Sequence, residues 1–265
     1  VSLVPDGPAP RSVMSRDGLP IATYDFGEAE GLDERAPTVL AVHGFASSAR
    51  ANWLATGWVR ELGRAGVRVI ALDQRGHGAS GRPHESEAYS MQALVDDVVD
   101  VLDTYMIDEC AYVGYSLGAR VGWHAALEIP ERLTRLVLGG IPDGDPLTRF
   151  RVDEARAFVD HGTPVGDRLT QAYLTMAGGV AGNDLAALVA LVGGMRGGLQ
   201  PDPADPPQQP VLFATGSEDS IIEKSRALAA ATPQGEFIEI PRRNHFNAPV
   251  AREFRQAGVE FVTRD

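Results

Sequence analysis

Five residues, Gly114-Tyr115-Ser116-Leu117-Gly118, restrict the possible folds of this chain more than any other segment. They follow Cys110-Ala111-Tyr112-Val113, which has the character of a buried strand, and they open residues 119–127, where Val121, Ala125 and Leu127 offer a packing face for a helix. Ser116 therefore stands at a sharp strand-to-helix corner. Such a corner imposes strained backbone angles on the serine, and glycines two before and two after it let neighbouring backbone come close. The hydroxyl is then held at the end of a sheet, beside a helix N-terminus whose open N–H groups can stabilise a developing oxyanion. Glycine and serine at this spacing also recur by chance in ordinary β-to-α turns, so the rest of the chain has to decide.

The surrounding pattern is one of strands alternating with helices, as in a mostly parallel sheet covered on both faces. Residues 13–15 and 21–26 predict a hairpin turning at Asp17-Gly18. Residues 38–42 and 67–72 are apolar runs suited to doubly covered strands, with Trp53, Leu54, Trp58, Val59 and Leu62 predicting one crossover helix between them. Ser90 caps a helix whose stripe runs Met91, Leu94, Val95, Val98, Val99, Leu102 and Met106, while Asp96, Asp97, Asp100 and Asp103 form a solvated opposite face. A strand at 133–138 ends at Gly139-Gly140, and the rhythm stops at Pro142.

From 143 to 209 come short helical stretches broken at Gly178-Gly179, Gly193-Gly194 and Gly197-Gly198, then a run rich in proline and aspartate. We read this as an inserted helical cap, with 1–142 and 210–265 forming the core domain. Phe150, Phe158, Leu169, Tyr173 and Leu174 are assigned to the cap's own small core in preference to a pocket wall. Strands at 211–215 and 237–240, with helices at 221–231 and 250–262, close the domain.

Composition narrows the function. A formal net charge of -12 with no basic stripe argues against nucleic acid, and no stretch approaches the roughly 18 apolar residues that span a bilayer. Cys110 is the single cysteine, which precludes an internal disulfide, and its strand position predicts a buried, inert thiol. The first ten residues lack a basic segment followed by an apolar one, so a cytoplasmic protein is the expectation. Oligomeric state leaves no trace in the sequence.

A serine hydroxyl needs a base in hydrogen-bond reach and an acid to orient that base. Of the histidines after Ser116, His124 lies two turns along the serine's own helix and His161 lies in the insertion. His245 stands in a polar loop directly after the strand at 237–240, where parallel sheets gather catalytic groups. The acid belongs on the loop after the preceding strand, which holds Thr215-Gly216-Ser217-Glu218-Asp219. Asp219 is the choice; Glu218 is one residue out of place, and Asp143 and Asp145 are rivals after the strand ending at Gly139. The order Ser116, Asp219, His245 is one known for serine triads.

With these blocks in hand, the chain resembles the α/β-hydrolase family over nearly its whole length outside the insertion. His43-Gly44-Phe45 resembles the family's oxyanion loop, and Asp73-Gln74-Arg75-Gly76-His77-Gly78-Ala79-Ser80 its turn after the next strand, a structural signature. The resemblance implies an eight-stranded, mostly parallel sheet with flanking helices. It also implies an oxyanion hole made by the backbone N–H groups of Phe45 and Leu117, and a serine esterase acting on a small or medium ester through an acyl-enzyme. Lactonase, C–C bond hydrolase, perhydrolase, acyltransferase and a non-catalytic small-molecule receptor share the fold. Serine at the nucleophile position disfavours epoxide hydrolase and haloalkane dehalogenase, whose family members need an aspartate there.

No cofactor or metal is expected. Gly76-His77-Gly78-Ala79-Ser80-Gly81 matches a dinucleotide-binding pattern, but Arg82-Pro83 follows where its helix should begin. His43, His77 and His84 lack the accompanying ligand spacing of a metal site, and His43 is read as a loop-packing residue.

Overall fold

The computed structural model describes residues 7–27, 31–32, 35–141, 144 and 147–264. Its elements in chain order are β1 (Arg11–Met14), β2 (Pro20–Asp25), β3 (Thr38–Val42), α1 (Trp58–Arg64), β4 (Arg68–Leu72), α2 (Met91–Thr104), β5 (Cys110–Tyr115), α3 (Leu117–Glu128) and β6 (Leu133–Gly139). Then come α4 (Val152–His161), α5 (Arg168–Gly178), α6 (Leu185–Met195), β7 (Val211–Gly216), α7 (Ile222–Ala231), β8 (Gly235–Ile240) and α8 (Arg252–Val262). The eight strands form one sheet in the order β1-β2-β4-β3-β5-β6-β7-β8. Pairing is antiparallel from β1 through β2 to β4 and parallel from there on.

The central strands are apolar over most of their length because both faces are covered, and the two-residue period sorts their side chains. Leu40, Val42, Ile70, Leu72 and Tyr112 face a core shared with α2 and α3. Val39, Ala41, Val69, Ala71 and Val113 face the other way, with Trp58 and Leu62 of α1 and Phe254 and Phe261 of α8. Cys110 is buried on β5, and burial pushes its thiol up to about 12. Among the described residues no helix is long and apolar enough to cross a membrane.

Four expectations change. The crossover between β3 and β4 is two pieces: a wide helical turn, Arg50–Leu54, and α1, separated at Gly57, whose φ of 85° ends the first piece. On α2, Ser90 does cap the helix by accepting the Ala93 N–H, but Met106 lies past its end, 82% exposed. The acids of α2 are not one solvated face. Asp97 is buried and holds Arg75 through two 2.7 Å bonds, Asp96 and Asp100 both bind Arg16, and only Asp103 is well exposed, paired with Arg132. Gly193 and Gly194 lie inside α6, where a Cβ on Gly194 would stand 2.1 Å from the Ser86 carbonyl oxygen. The pair lets the helix dock on the segment before α2 instead of ending there.

The loop after β3 is held from behind by a buried polar junction on the turn after β4. Asp73 accepts the Ala49 N–H at 2.8 Å and the Ala79 N–H at 2.9 Å. The His43 Nε2 accepts the Gln74 N–H, and the His77 Nε2 accepts the Ala46 N–H, each at 3.0 Å. Each ring therefore carries its proton on Nδ1, which donates to Gly44 C=O from His43 and to Arg75 C=O from His77. Burial pulls His43 down to about 4 and His77 down to about 3, so both are neutral at pH 7.

Two predictions follow from this packing. Asp97→Ala strands the buried Arg75 guanidinium and should cost about 3–5 kcal/mol in urea unfolding, against less than about 1 kcal/mol for Asp103→Ala. For the histidines, the unfolded chain takes up protons below about pH 6.5 while the folded one does not until about pH 3–4. Their contribution is intact above pH 6.5 and is lost as pH falls. The melting midpoint should drop through that window, and His77→Gln, which can still accept the Ala46 N–H, should flatten the drop.

Candidate active site

Ser116 occupies the corner between β5 and α3 with φ 53° and ψ -109°, a conformation that costs a non-glycine residue about 1–3 kcal/mol. Its N–H donates to Gly139 C=O at 2.8 Å, tying the corner to the end of β6. Both flanking glycines are required by contact. A Cβ on Gly118 would lie 2.0 Å from the Val42 carbonyl oxygen, and one on Gly114 would lie 2.5 Å from the Gly118 oxygen.

Asp219 and His245 come from the loops after β7 and β8, which lie against each other. Gly216 has the Arg243 carbonyl where its Cβ would be, the Glu218 N–H donates to that carbonyl at 2.9 Å, and the Ser217 N–H donates to Ile240 C=O. Asp219 is thereby turned inward and buried, while neighbouring Glu218 is exposed. Asp219 Oδ2 lies 2.7 Å from His245 Nδ1, and His245 Nε2 lies 2.8 Å from Ser116 Oγ. The three residues form one hydrogen-bonded line. His245 is set by its own loop, where Asn244 Oδ1 accepts the N–H groups of Phe246 and Asn247, and by Tyr115, whose hydroxyl donates to His245 C=O at 2.6 Å. No sequence signal marks Tyr115, since the position between Gly114 and Ser116 is left open in the G-x-S-x-G pattern. Asp143 and Asp145, the rival acids, lie outside the described residues, as does Pro142 at the expected domain boundary.

Gly44 and Phe45 stand opposite the corner. A Cβ on Gly44 would be 3.3 Å from Tyr115 C=O and 3.4 Å from the Ser116 Cβ, so the loop after β3 runs directly beside the serine. Leu117 is the first residue of α3, and its N–H has no carbonyl one helical turn back.

A cavity of about 620 Å³ opens over Ser116 and His245. Its walls include Phe45 and Leu117 from the core, with Phe150, Leu169 and Tyr173 from the segment between β6 and β7. The assignment to a separate small core is thus corrected for Leu169 and Tyr173, whereas Phe150 lines the cavity and is also buried with Leu174 in the hydrophobic core, against which Phe158 packs. Tyr173 bridges the two sides, with ring centroids 5.7 Å from Phe45 and 5.5 Å from Phe246. Arg120, one turn along α3, also reaches the cavity, a placement that its helical spacing from Ser116 contains but that only the structure shows.

Chemically, the line of carboxylate, imidazole and hydroxyl can withdraw the serine proton as its oxygen attacks an electrophile in the cavity.

The family model described as alpha/beta hydrolase fold matches residues 37–166. Epoxide hydrolase B of Mycobacterium tuberculosis H37Rv is 38% identical over 113 residues, 42% of this chain and 30% of that protein. Epoxide hydrolase A of the same organism is 32% identical over 149 residues, 55% of this chain and 42% of that protein. The chain thus spans less than half the length of these curated relatives. Among solved structures, the enol-lactonase from Burkholderia xenovorans LB400 superimposes with a TM-score of 0.77 at 22% identity, covering 96% of this chain and 100% of that one. A carboxylesterase structure from Nitrososphaera gargenis gives 0.75 at 17% identity, covering 95% and 97%. Sheet order, family model and structural likeness agree, and the chain belongs to the α/β-hydrolase family.

Proposed function

We propose that the protein is a serine hydrolase that cleaves a small or medium carboxylic ester, open-chain or cyclic, through an acyl-enzyme. The observation that carries this reading is the hydrogen-bonded line from Asp219 through His245 to Ser116 at the floor of the cavity. Ser116 Oγ attacks the carbonyl carbon while His245 Nε2 takes its proton, and Asp219 holds the Nδ1–H tautomer and stabilises the imidazolium. The tetrahedral oxygen is received by the N–H groups of Phe45 and Leu117. Collapse expels the alcohol, which leaves with the proton from His245, and water, activated by the same imidazole, releases the acid.

The relatives' names raise epoxide opening, and the identity of the nucleophile speaks against it here. Attack on an epoxide carbon by a carboxylate leaves an ester, which water can hydrolyse. Attack by Ser116 would leave an ether, with no carbonyl for water to add to, and the enzyme would stop after one turnover. Carbonyl substrates are the ones this nucleophile releases. The enol-lactonase likeness fits the same chemistry, since a lactone is a cyclic ester. The aromatic and aliphatic walls suit a compact apolar acyl or alkyl group, and the helices between β6 and β7 act as its cap.

The test is turnover of p-nitrophenyl esters of increasing acyl length by the parent and by Ser116→Ala. We expect the parent to prefer short or medium chains and Ser116→Ala to lose about ten thousandfold or more in kcat with its fold retained. A Ser116→Ala variant with near-parental turnover contradicts the proposal.

A further inference from the structure

We propose that Asn183, on the segment joining α5 to α6, is a positioning residue for the oxyanion loop, so that the insertion completes the site it covers. The inference rests on the hydrolytic reading above, in which Phe45 supplies an oxyanion N–H.

The loop after β3 makes a four-residue turn, Gly44 to Ser47, closed by the Ser47 N–H donating to Gly44 C=O at 3.2 Å. Its third residue, Ala46, has φ 60°, a position ordinarily given to glycine. An alanine stays there only if its surroundings hold it. Both backbone groups of Ala46 are held, and from different parts of the chain. The N–H donates to His77 Nε2 at 3.0 Å, and the C=O accepts Asn183 Nδ2 at 3.2 Å. His77 belongs to the core; Asn183 belongs to the insertion.

The Asn183 amide has one orientation that satisfies it. Oδ1 accepts the Gly78 N–H at 3.1 Å, while Nδ2 donates to the carbonyls of Ala46 and Ala177. Reversing the amide would set its NH2 against an N–H and its oxygen against two carbonyls. The backbone around it is seated closely on the same turn. A Cβ on Gly182 would stand 2.8 Å from the Gly78 oxygen, Arg82 donates to Gly182 C=O at 2.7 Å, and His84 meets Asp184 at 2.9 Å. These neighbouring contacts dock the segment without reaching Ala46. Asn183 alone among them carries the docking through to the residue after Phe45.

The experiment separates docking from positioning. Asn183→Asp keeps an acceptor for Gly78 and removes the donor to Ala46, whereas Asn183→Ala removes both. Phenylboronic acid reads the oxyanion site directly: Ser116 Oγ donates a lone pair to boron, His245 takes the hydroxyl proton, nothing leaves, and a boron-bound oxygen occupies the oxyanion position. Benzyl alcohol, which forms no tetrahedral adduct, reads the cavity alone.

For Asn183→Asp we expect kcat/KM for p-nitrophenyl butyrate to fall about tenfold, part of the hundredfold or more that outright loss of one donor costs. Phenylboronic acid should weaken by the same factor, with benzyl alcohol inhibition within about twofold of the parent. Parental kcat/KM and boronate affinity in both variants, with the parent's activity abolished by Ser116→Ala, overturns the inference and leaves the hydrolytic reading standing. Equal losses for boronate and benzyl alcohol also overturn it, because they report a collapsed cavity. A parent inert to ester and boronate alike, or a fully active Ser116→Ala, overturns the hydrolytic reading and this inference with it.

Discussion

Gly118 and the Val42 carbonyl approach so closely that a methyl group on the glycine would overlap the oxygen, and the geometry of the site depends on that contact. It brings the first turn of α3 against the end of β3. The helix can start there only if the chain reverses within one residue after β5, and Ser116 is that residue, at φ 53°. The strain is local, while its support is spread over two strands and a loop: Gly114 under the helix, Gly139 accepting the serine N–H, and Gly44 beside the Ser116 Cβ. A hydroxyl presented this way is already desolvated on its backbone side and open on its cavity side. Parallel β-strands with apolar faces supply the rigidity, because every central strand is covered by helices on both sides.

The polar groups behind the site follow a consistent logic. Loops at the end of a parallel sheet leave backbone N–H and C=O groups that have to be paired once buried. Here they are paired by neutral imidazoles and one aspartate, each with a donor and acceptor arrangement that admits one tautomer or orientation. Such a junction rigidifies the loop that runs beside Ser116. The segment between β6 and β7 joins the same network through Asn183, so it shares one set of hydrogen bonds with the loop beside Ser116.

What the sequence makes legible, and what it hides, follows from the range of the interactions involved. Ser116, Asp219 and His245 can be picked out because each sits at a strand's C-terminal end, and strand ends show in local apolar patterning; the structure brings all three together. The sheet is legible for the same reason. Asp97 is not, because its burial depends on Arg75, a partner 22 residues away that no helical period reveals. Gly193-Gly194 reads as a break, since local propensity disfavours it in a helix, and tertiary contact with Ser86 reverses the sign. Leu169 and Tyr173 are misassigned because an apolar face looks alike whether it meets another helix or a cavity, and Phe150 meets both. Met106 continues the helical period on paper, while the chain has already left the helix.

The central claim is that Ser116 is the nucleophile, and covalent trapping tests it without reference to the natural substrate. Diethyl p-nitrophenyl phosphate transfers a stable diethylphosphoryl group to an activated serine, with p-nitrophenolate leaving. Intact and peptide mass spectra should show one such group on the peptide containing Ser116 and none on Ser116→Ala. Label on a different residue, or a parent that stays unmodified, would contradict the account.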